Sequence, residues 1–503
     1  MTMRPVSRRA VGILFASLVA ALFTFFGETR DASAVPSFAR KYQTSCLTCH
    51  TVYPVLNPFG EAFRRNGYRF PSQKGSVDSD AVKEPMIALG QEEYKKTFPE
   101  SVWPAAIPQS VPLSVMLNGN VAWNFPKSDA HDAAGNGFTW AGVVGEFHLF
   151  AADAFSDTVT YFAQLTIPTD GALDVETAYV LWNDIVGPPH AVNLWVGRLM
   201  APQLTSFALH SDYLADSRMP AISVAGLYNG TGSFTLGQGH TDGVEASGIL
   251  WHRLGWSLGW VASSAAGGLK PPNAEDVYAH IGVKSGGVAL DGEGLYGSNV
   301  PDPAKPWAEK AITVDGFAYH GMNILDNGTG TVAGAGAPTP VGQRDHVDAI
   351  GGTVRAQYDS LVLDSGFSLE RHQRAYVGTP ATLVPTGTPI PGVPDYTDAK
   401  AFVQWNELAY VIYPWLVPAI RTEFTQATYE SSNPVTLLRV IPGVAMLVRP
   451  DIRIVVTGDF ERAYGMPVSG SWGAAGGAII APGPGQSSSF EAEVINASVS
   501  AAF

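Results

Sequence analysis

The sequence carries little charge for its length. Charged residues make up 15% of its 503 residues, against roughly 25% in average soluble domains. Acidic residues outnumber basic ones, 45 to 31, which gives a formal net charge of −14 at pH 7. Because phosphate binding requires a concentrated basic surface, this balance argues against a nucleic-acid partner. Disorder is also excluded, since 12 Trp, 18 Tyr and 24 Phe provide ample apolar surface.

Long hydrophobic runs are missing after the N-terminal segment. No later apolar run approaches the ~20 residues that a helix needs to cross a bilayer, which excludes a polytopic helical membrane protein. Hydrophobic residues nevertheless reach 46%. A membrane β-barrel has this profile, because alternate residues of each strand face lipid and no single stretch is hydrophobic throughout.

The first residues have the pattern of an export signal. Arg4, Arg8 and Arg9 precede the apolar stretch VGILFASLVAALFTFF, and the small residues Ala32-Ser33-Ala34 follow it. These are the charged region, the hydrophobic region and the cleavage site of a secretory signal. We therefore predict a signal peptide over residues 1–34, with a retained anchor helix as the alternative.

Cysteine is nearly absent, and both cysteines lie in one motif. Cys46 and Cys49 are followed by His50 in the segment CLTCH, which in an exported protein is the attachment signature of a c-type haem. The thiols of Cys46 and Cys49 would form thioethers with one haem c, and His50 would be the proximal iron ligand. The alternatives are a disulfide, a thioredoxin-like redox pair and half of a zinc site. A disulfide needs no histidine, the redox pair expects a βαβ context, and zinc needs further ligands.

The residues after this motif predict a short helix. Asn57 and Pro58 supply an N-cap and a proline for the first helical position, and Gly67 provides a C-terminal stop. Phe59, Ala62 and Phe63 fall on one face, where they would cover a porphyrin. We assign residues 35–109 to a small α-helical monohaem cytochrome c-like segment with its linker.

From about residue 110 the hydrophobic period changes to two. In the first such stretch Leu113, Val115 and Leu117 alternate with Ser114, Met116 and Asn118, and similar stretches recur to the end of the chain at Phe503. Alternation over about ten residues marks strands with one apolar and one polar face. We predict an all-β membrane protein in which residues 110–503 form an antiparallel outer-membrane β-barrel of about 16 strands.

The connections between these strands alternate in length. Short links alternate with long Gly- and Pro-rich ones at 201–242, 322–345, 372–398 and 463–488, as expected for periplasmic turns and external loops. The stretch 285–311 is the exception, being long where a turn is expected, so the strand count over 265–345 leaves room for further strands. A soluble β-sandwich or propeller is the alternative to the barrel.

The N-terminal motifs resemble those of a known family. The segment VPSFARKYQTSCLTCHTVYPVLNPFGEAFRRNGYRF has F-A-R before the haem motif and P-x-L-N, G-x-x-F-R and N-G-Y-R after it. With the signal and the porin-like remainder, it resembles the fused monohaem cytochrome–porins of bacterial outer membranes, whose founding members are iron oxidases. The resemblance implies an iron:cytochrome oxidoreductase, embedded in outer-membrane lipid. It would take electrons from extracellular Fe(II) or another donor and reduce a periplasmic c-type cytochrome.

The second axial ligand of the iron has three candidates. Methionine raises a haem potential, which suits a weakly reducing donor such as Fe(II). Met86 lies in the cytochrome-like segment and Met116 on the inward face of the first strand. His148, also inward, would give a lower potential. Inward carboxylates would attract cations, and the candidates are Glu146, Asp174, Glu176, Asp459 and Glu461.

Two other functions fit the same features. The chain would be a diffusion porin if the haem is only a plug or a structural device. It would be a soluble periplasmic haem protein if its β-rich part is not a barrel.

Overall fold

The computed structural model describes residues 36–71, 86–87, 93, 96–99, 107–108, 112–126, 137–140, 145–154, 158–168, 173–200, 213–214, 240–262, 275–295, 305–325, 343–376, 396–429, 435–464, 471–472, 477–478 and 490–502. The predicted signal peptide and the terminal Phe503 lie outside these residues. None of the helices described has the length and apolarity to cross a membrane.

The alternating segments form sixteen antiparallel strands that close into one barrel, with each strand paired to its neighbours in sequence and the last paired to the first. The strands are β1 Leu113–Pro126, β2 Gly137–Trp140 with Glu146–Ala154, β3 Val159–Pro168, β4 Asp174–Trp182, β5 Asn193–Met200, β6 His240–Leu250, β7 Leu254–Ala262, β8 Glu275–Gly286, β9 Glu309–Leu325, β10 Gln343–Asp359, β11 Leu361–Tyr376, β12 Tyr396–Tyr410, β13 Leu416–Tyr429, β14 Val435–Arg449, β15 Ile452–Tyr464 and β16 Phe490–Ala502. Both parts of β2 pair with β1, so they occupy one position in the barrel. The predicted count of sixteen is confirmed.

The outer face of the barrel is apolar and the inner face is polar. On β14, Leu438 and Val440 are each 40% exposed, whereas Arg439 between them is 6% exposed. On β15 the same alternation places Phe460 outside and buries Asp459 inside. A closed barrel leaves no unpaired strand edge, and an apolar exterior suits lipid. This is the architecture by which proteins cross bacterial outer membranes, as the sequence predicted, and it rules out the sandwich and propeller alternatives.

The two ends of the barrel differ in their connections. The end at which β1 begins carries short turns, and the long connections 201–239, 326–342, 377–395 and 465–489 leave the opposite end. By the usual arrangement of such barrels the short-turn end faces the periplasm. The long stretch at 285–311 contains the end of β8 and the start of β9. The residues that the structure describes between these two strands form no further strand.

The N-terminal segment is a compact series of short elements. Helix α1 spans Pro36–Tyr42, a 3-10 turn spans Cys46–Thr48, His50–Val52 and Val55–Leu56 form a small hairpin, and helix α2 spans Pro58–Arg65. The predicted N-cap is confirmed, because the Asn57 side chain accepts a hydrogen bond from the Gly60 backbone N–H at 2.9 Å. Gly67 follows α2 with a φ of 67°. Two-residue strand pairs also join Met86–Ile87 to Ile107–Pro108 and Ser471–Trp472 to Gly477–Ala478.

This segment lies inside the periplasmic end of the barrel. Lys41 forms a buried ion pair with Asp153 at the end of β2. The Arg69 guanidinium lies 3.1 Å from Asp184 in the β4–β5 turn. The hydroxyls of Tyr68 and Tyr179 are 2.7 Å apart. We refer to residues 36–71 as the plug.

The long periplasmic connection between β8 and β9 packs against the plug. Val288 and Leu295 of this connection pack against Ala62 of α2. The Asn66 side chain donates a hydrogen bond to the Asp291 carbonyl at 3.0 Å. The unusual length of this periplasmic connection therefore has a packing role.

We expect Lys41→Ala to loosen the plug without opening the barrel. The substitution leaves the Asp153 carboxylate buried without its cation, and breaking such a buried pair costs about 3–5 kcal/mol. Protease cleavage of residues 36–71 in detergent-solubilised protein should accelerate. A Lys41→Met/Asp153→Leu double variant, which removes both charges, should restore much of the protection. Equal protection in the single variant and the wild type would contradict the assignment.

Candidate haem site

A cavity of about 330 Å³ lies between the plug and the barrel wall. Cys46, Cys49 and His50 all line it. The motif that the sequence singled out thus presents all three of its candidate side chains to one cavity. The opposite wall consists of inward-facing residues of β1 to β9.

The hairpin that carries His50 fixes the orientation of its imidazole. The Nδ1 atom lies 3.2 Å from the Pro54 carbonyl oxygen, so Nδ1–H donates to it. That hydrogen bond selects the tautomer whose Nε2 lone pair is available to a metal. Burial lowers the pKa of His50 to about 4, which keeps the ring neutral at pH 7. A neutral imidazole with one nitrogen engaged is the state required of an axial ligand.

Of the two cysteines, Cys49 lacks the lowered pKa that is typical of a redox pair. Both are free thiols, and Cys46 is 4% exposed. Burial, with a smaller contribution from Cys46, raises the pKa of Cys49 to about 12, whereas reactive redox cysteines have lowered pKa values. Among the residues that the structure describes, no group of three or more His, Cys, Asp or Glu side chains is arranged to hold a metal ion. The described residues thus supply no zinc-type ligand set around the motif.

Helix α2 is packed directly onto this motif. The Asn57 side chain donates to the carbonyls of Leu47 and Thr48 at 3.1 and 3.0 Å. A Cβ atom at Gly60 would lie 2.0 Å from the Cys49 carbonyl oxygen, so only glycine permits this approach. These contacts give a physical reason for the asparagine of P-x-L-N and the glycine of G-x-x-F-R.

The cavity walls are rich in aromatic rings. Phe38 and Phe63 line it from the plug, and Phe150 and Phe162 line it from the barrel. The Phe38 and Phe63 rings meet edge to face at 5.1 Å. Of the three α2 residues predicted to cover a porphyrin, Phe63 does line the cavity. The prediction is wrong for Ala62 and Phe59, because they belong to the cluster with Val288 and Leu295.

Met116 is the distal-ligand candidate that the fold brings to this cavity. Its side chain lines the cavity and is 6% exposed. The Tyr53 hydroxyl donates to the Met116 sulfur at 3.0 Å, and the Tyr53 ring lies 5.2 Å from the His50 ring. One tyrosine of the hairpin therefore contacts both the histidine and the methionine.

His148 faces inward as predicted but is engaged elsewhere. It is the register partner of Met116 across β1 and β2. Its Nδ1 lies 2.8 Å from the Thr166 hydroxyl, and its Nε2 lies 3.0 Å from the Asn118 amide and 3.2 Å from Glu146. Both ring nitrogens thus have polar partners, and His148 is not among the residues lining the cavity. The Met86 backbone pairs with Pro108, and its side chain lies outside the described part of the structure.

Sequence reasoning missed several polar residues of the cavity. Glu245, His280 and Asp315 project into it from β6, β8 and β9. The His280 Nε2 lies 3.5 Å from an Asp315 oxygen. His280 has no ligand-type spacing to any other histidine, and only its inward parity on β8 distinguishes it in sequence.

Comparisons with known proteins bear on the fold alone. No protein-family model and no curated relative matches the chain. The anion-selective porin from Comamonas acidovorans is 10% identical, covers 78% of this chain and 99% of its own, and has a TM-score of 0.48. The trimer form of the outer-membrane protein OmpT of Vibrio cholerae is also 10% identical, with the same coverage and a TM-score of 0.45. The outer membrane channel DcaP of Acinetobacter baumannii is 10% identical, covers 78% of this chain and 96% of its own, and has a TM-score of 0.42.

The connection between β5 and β6 reaches the plug from the opposite end of the barrel. Its described residues, Tyr213 and Leu214, belong to one buried cluster with Val52 and Val55 of the hairpin. The Tyr213 backbone N–H donates to Glu407 at 2.8 Å. A loop that leaves the external end therefore contacts the hairpin that carries His50.

The predicted lumen carboxylates lie apart from the cavity lining. Asp459 and Glu461 are buried against the Arg439 guanidinium at 2.6 and 2.8 Å. Glu146 contacts His148, and Asp174 lies exposed at the start of β4. The Gln164 amide donates to Glu176. The carboxylates of the cavity itself are those of Glu245 and Asp315.

Proposed function

We propose that the chain is an outer-membrane electron conduit that oxidises an external donor, most simply Fe(II), and reduces a periplasmic c-type cytochrome. The observation that carries this proposal is the meeting of Cys46, Cys49, His50 and Met116 at one cavity inside a transmembrane barrel.

The residues present fit a covalently bound haem c. Cys46 and Cys49 would hold it through thioethers, His50 would ligate its iron through Nε2, and Met116 would supply the distal sulfur. When bound, the group supplies reversible one-electron chemistry, and a methionine ligand raises its potential. Tyr53 orients Met116 through its hydroxyl, and the Pro54 carbonyl orients His50.

The barrel gives one redox site access to both compartments. The hydrocarbon layer around such a barrel is about 25 Å tall and insulates the two sides from each other. The plug sits at the periplasmic end, where an acceptor protein would dock. Glu245 and Asp315 line the cavity together with Arg64 and Arg65, so the cavity carries side chains of both charges. Oxidation of iron within the outer membrane would also keep insoluble ferric product out of the cell.

The direct test is a redox-monitored absorption spectrum of the detergent-solubilised holoprotein. Anaerobic addition of Fe(II) to the oxidised protein should produce the spectrum of a reduced c-type haem, and Mg²⁺ should leave it unchanged. A soluble c-type cytochrome added afterwards should reoxidise it. A protein that dithionite reduces and Fe(II) does not would overturn the iron assignment. A wild-type protein without covalent haem would overturn the conduit itself.

A diffusion porin with a structural haem is the second candidate, and the closed sixteen-stranded barrel with long external connections favours it. Planar-bilayer conductance separates the two candidates. The porin proposal requires solute permeation that loss of the haem leaves unchanged, together with an absence of donor-driven reduction. The conduit proposal requires donor-driven reduction whatever the conductance.

A further inference from the structure

Two arginines at the C-terminal end of α2 face the candidate haem cavity. Arg64 and Arg65 both line it, and their side chains are 18% and 14% exposed. A guanidinium stays charged at any physiological pH. Two adjacent cations that are largely removed from solvent require negative charge close by.

One plug carboxylate is shared between these two cations. The Arg64 Nη2 atom lies 3.0 Å from a Glu61 oxygen, and the Arg65 Nε atom lies 3.7 Å from the same oxygen. Arg355 of β10 also acts on Glu61 electrostatically. Burial lowers the pKa of Arg65, whereas Glu61 holds the pKa of Arg64 above its usual value despite burial. Glu61 therefore compensates Arg64 better than Arg65.

The strand carboxylates that line the same cavity have partners on the wall. The Tyr278 hydroxyl donates to Glu245. The His280 Nε2 lies 3.5 Å from Asp315. Both carboxylates also act electrostatically on the α2 arginines, Glu245 on Arg64 and Asp315 on Arg65. The arginines lie at the cavity surface, on the helix that contacts the Cys49 carbonyl through Gly60.

We propose that Arg64 and Arg65 bind the two propionate carboxylates of the covalently attached haem. The inference rests on the proposed haem. It assigns to the plug the positive charge that would balance the two propionate carboxylates. Arginine pairs with carboxylates through two parallel hydrogen bonds, which gives direction as well as charge. The same helix would then contact two edges of the haem, the thioether edge through Gly60 and Asn57 and the charged propionate edge through its last turn.

The test uses the holoprotein with Arg64→Gln and Arg65→Gln, and Arg198→Gln as the control. Arg198 lies on the outward face of β5, with the same parity as Val196, pairs with Asp242 at 3.8 Å and does not line the cavity. Removing a positive charge near the haem stabilises Fe(III) over Fe(II). In a fixed redox buffer we expect the oxidised-to-reduced ratio to rise about tenfold, or about 59 mV, in each Gln variant. The propionate bending modes in resonance Raman spectra should shift as well, and the control should match the wild type in both readouts.

Each outcome bears on a different claim. Loaded Gln variants with unchanged potentials and Raman spectra overturn the propionate assignment and leave the conduit standing. Absence of haem from the wild type overturns the conduit. If the Gln variants fail to load haem, Arg64→Lys and Arg65→Lys keep the charge and lose the planar fork. These Lys variants should load with near-wild-type potential and altered propionate modes, and unaltered modes or failure to load would overturn the assignment.

Discussion

We expect His50→Ala to lose all Fe(II)-dependent reduction while the barrel remains folded. The imidazole lies in the plug, and its backbone hydrogen bonds are to Pro54 and Val55 of its own hairpin. The barrel strands are held by their own closed ladder of backbone hydrogen bonds. The measurement is the absorbance change on anaerobic Fe(II) addition, with heat-modifiable gel mobility reporting the folded barrel.

A second histidine at the same end of the barrel provides the control. His252 lies in the β6–β7 turn, where its Nδ1 is 2.6 Å from Asp291, and its side chain is 45% exposed. His252→Ala should keep both the covalent haem and its reduction by Fe(II). If His50→Ala is reduced by Fe(II) like the wild type, His50 is not the proximal ligand and the proposed site is wrong.

The barrel was predictable because lipid and lumen impose a strict alternation on every strand. An outward polar side chain or an unpaired edge would be costly in hydrocarbon, so the period-two pattern is visible in sequence without any knowledge of strand pairing. The CLTCH motif could be recognised for a different reason. Thioether attachment of a haem would fix the spacing of Cys46, Cys49 and His50 along the chain, so the signal is local.

The walls of the cavity were not predictable, because they depend on where the plug docks. Met116 and His148 have the same inward parity and face each other in register, yet only Met116 lines the cavity. His280 is one of several histidines without ligand spacing and is selected only by its position on β8.

Contacts between segments that lie far apart along the chain could not be predicted from the sequence either. The β8–β9 connection packs on α2 through Val288 and Leu295, and Tyr213 reaches the hairpin from the external end. Neither segment has a period-two pattern, and the described residues of each pack against the plug. Only the length of the β8–β9 connection was unusual in the sequence.

Replacing Met116 should have the second large effect. We expect Met116→Leu to favour Fe(III) by about a hundredfold, or about 120 mV, because axial ligands move haem potentials over a span of about 0.8 V. Leucine preserves the side-chain volume, so the cavity wall should stay intact. The charge-transfer band between methionine sulfur and ferric iron should disappear from the absorption spectrum.

The remaining candidates and a graded variant make this prediction specific. Met86→Leu, His148→Ala and Met446→Ala, the last on the outward face of β14, should leave the potential and the sulfur band unchanged. Tyr53→Phe removes one hydrogen bond to the sulfur, typically about 0.5–1.5 kcal/mol, so it should shift the Fe(III)/Fe(II) ratio by about two- to tenfold and keep the band. If Met86→Leu or His148→Ala causes the large shift instead, that residue is the distal ligand, and the cavity seen around Met116 has a different occupant.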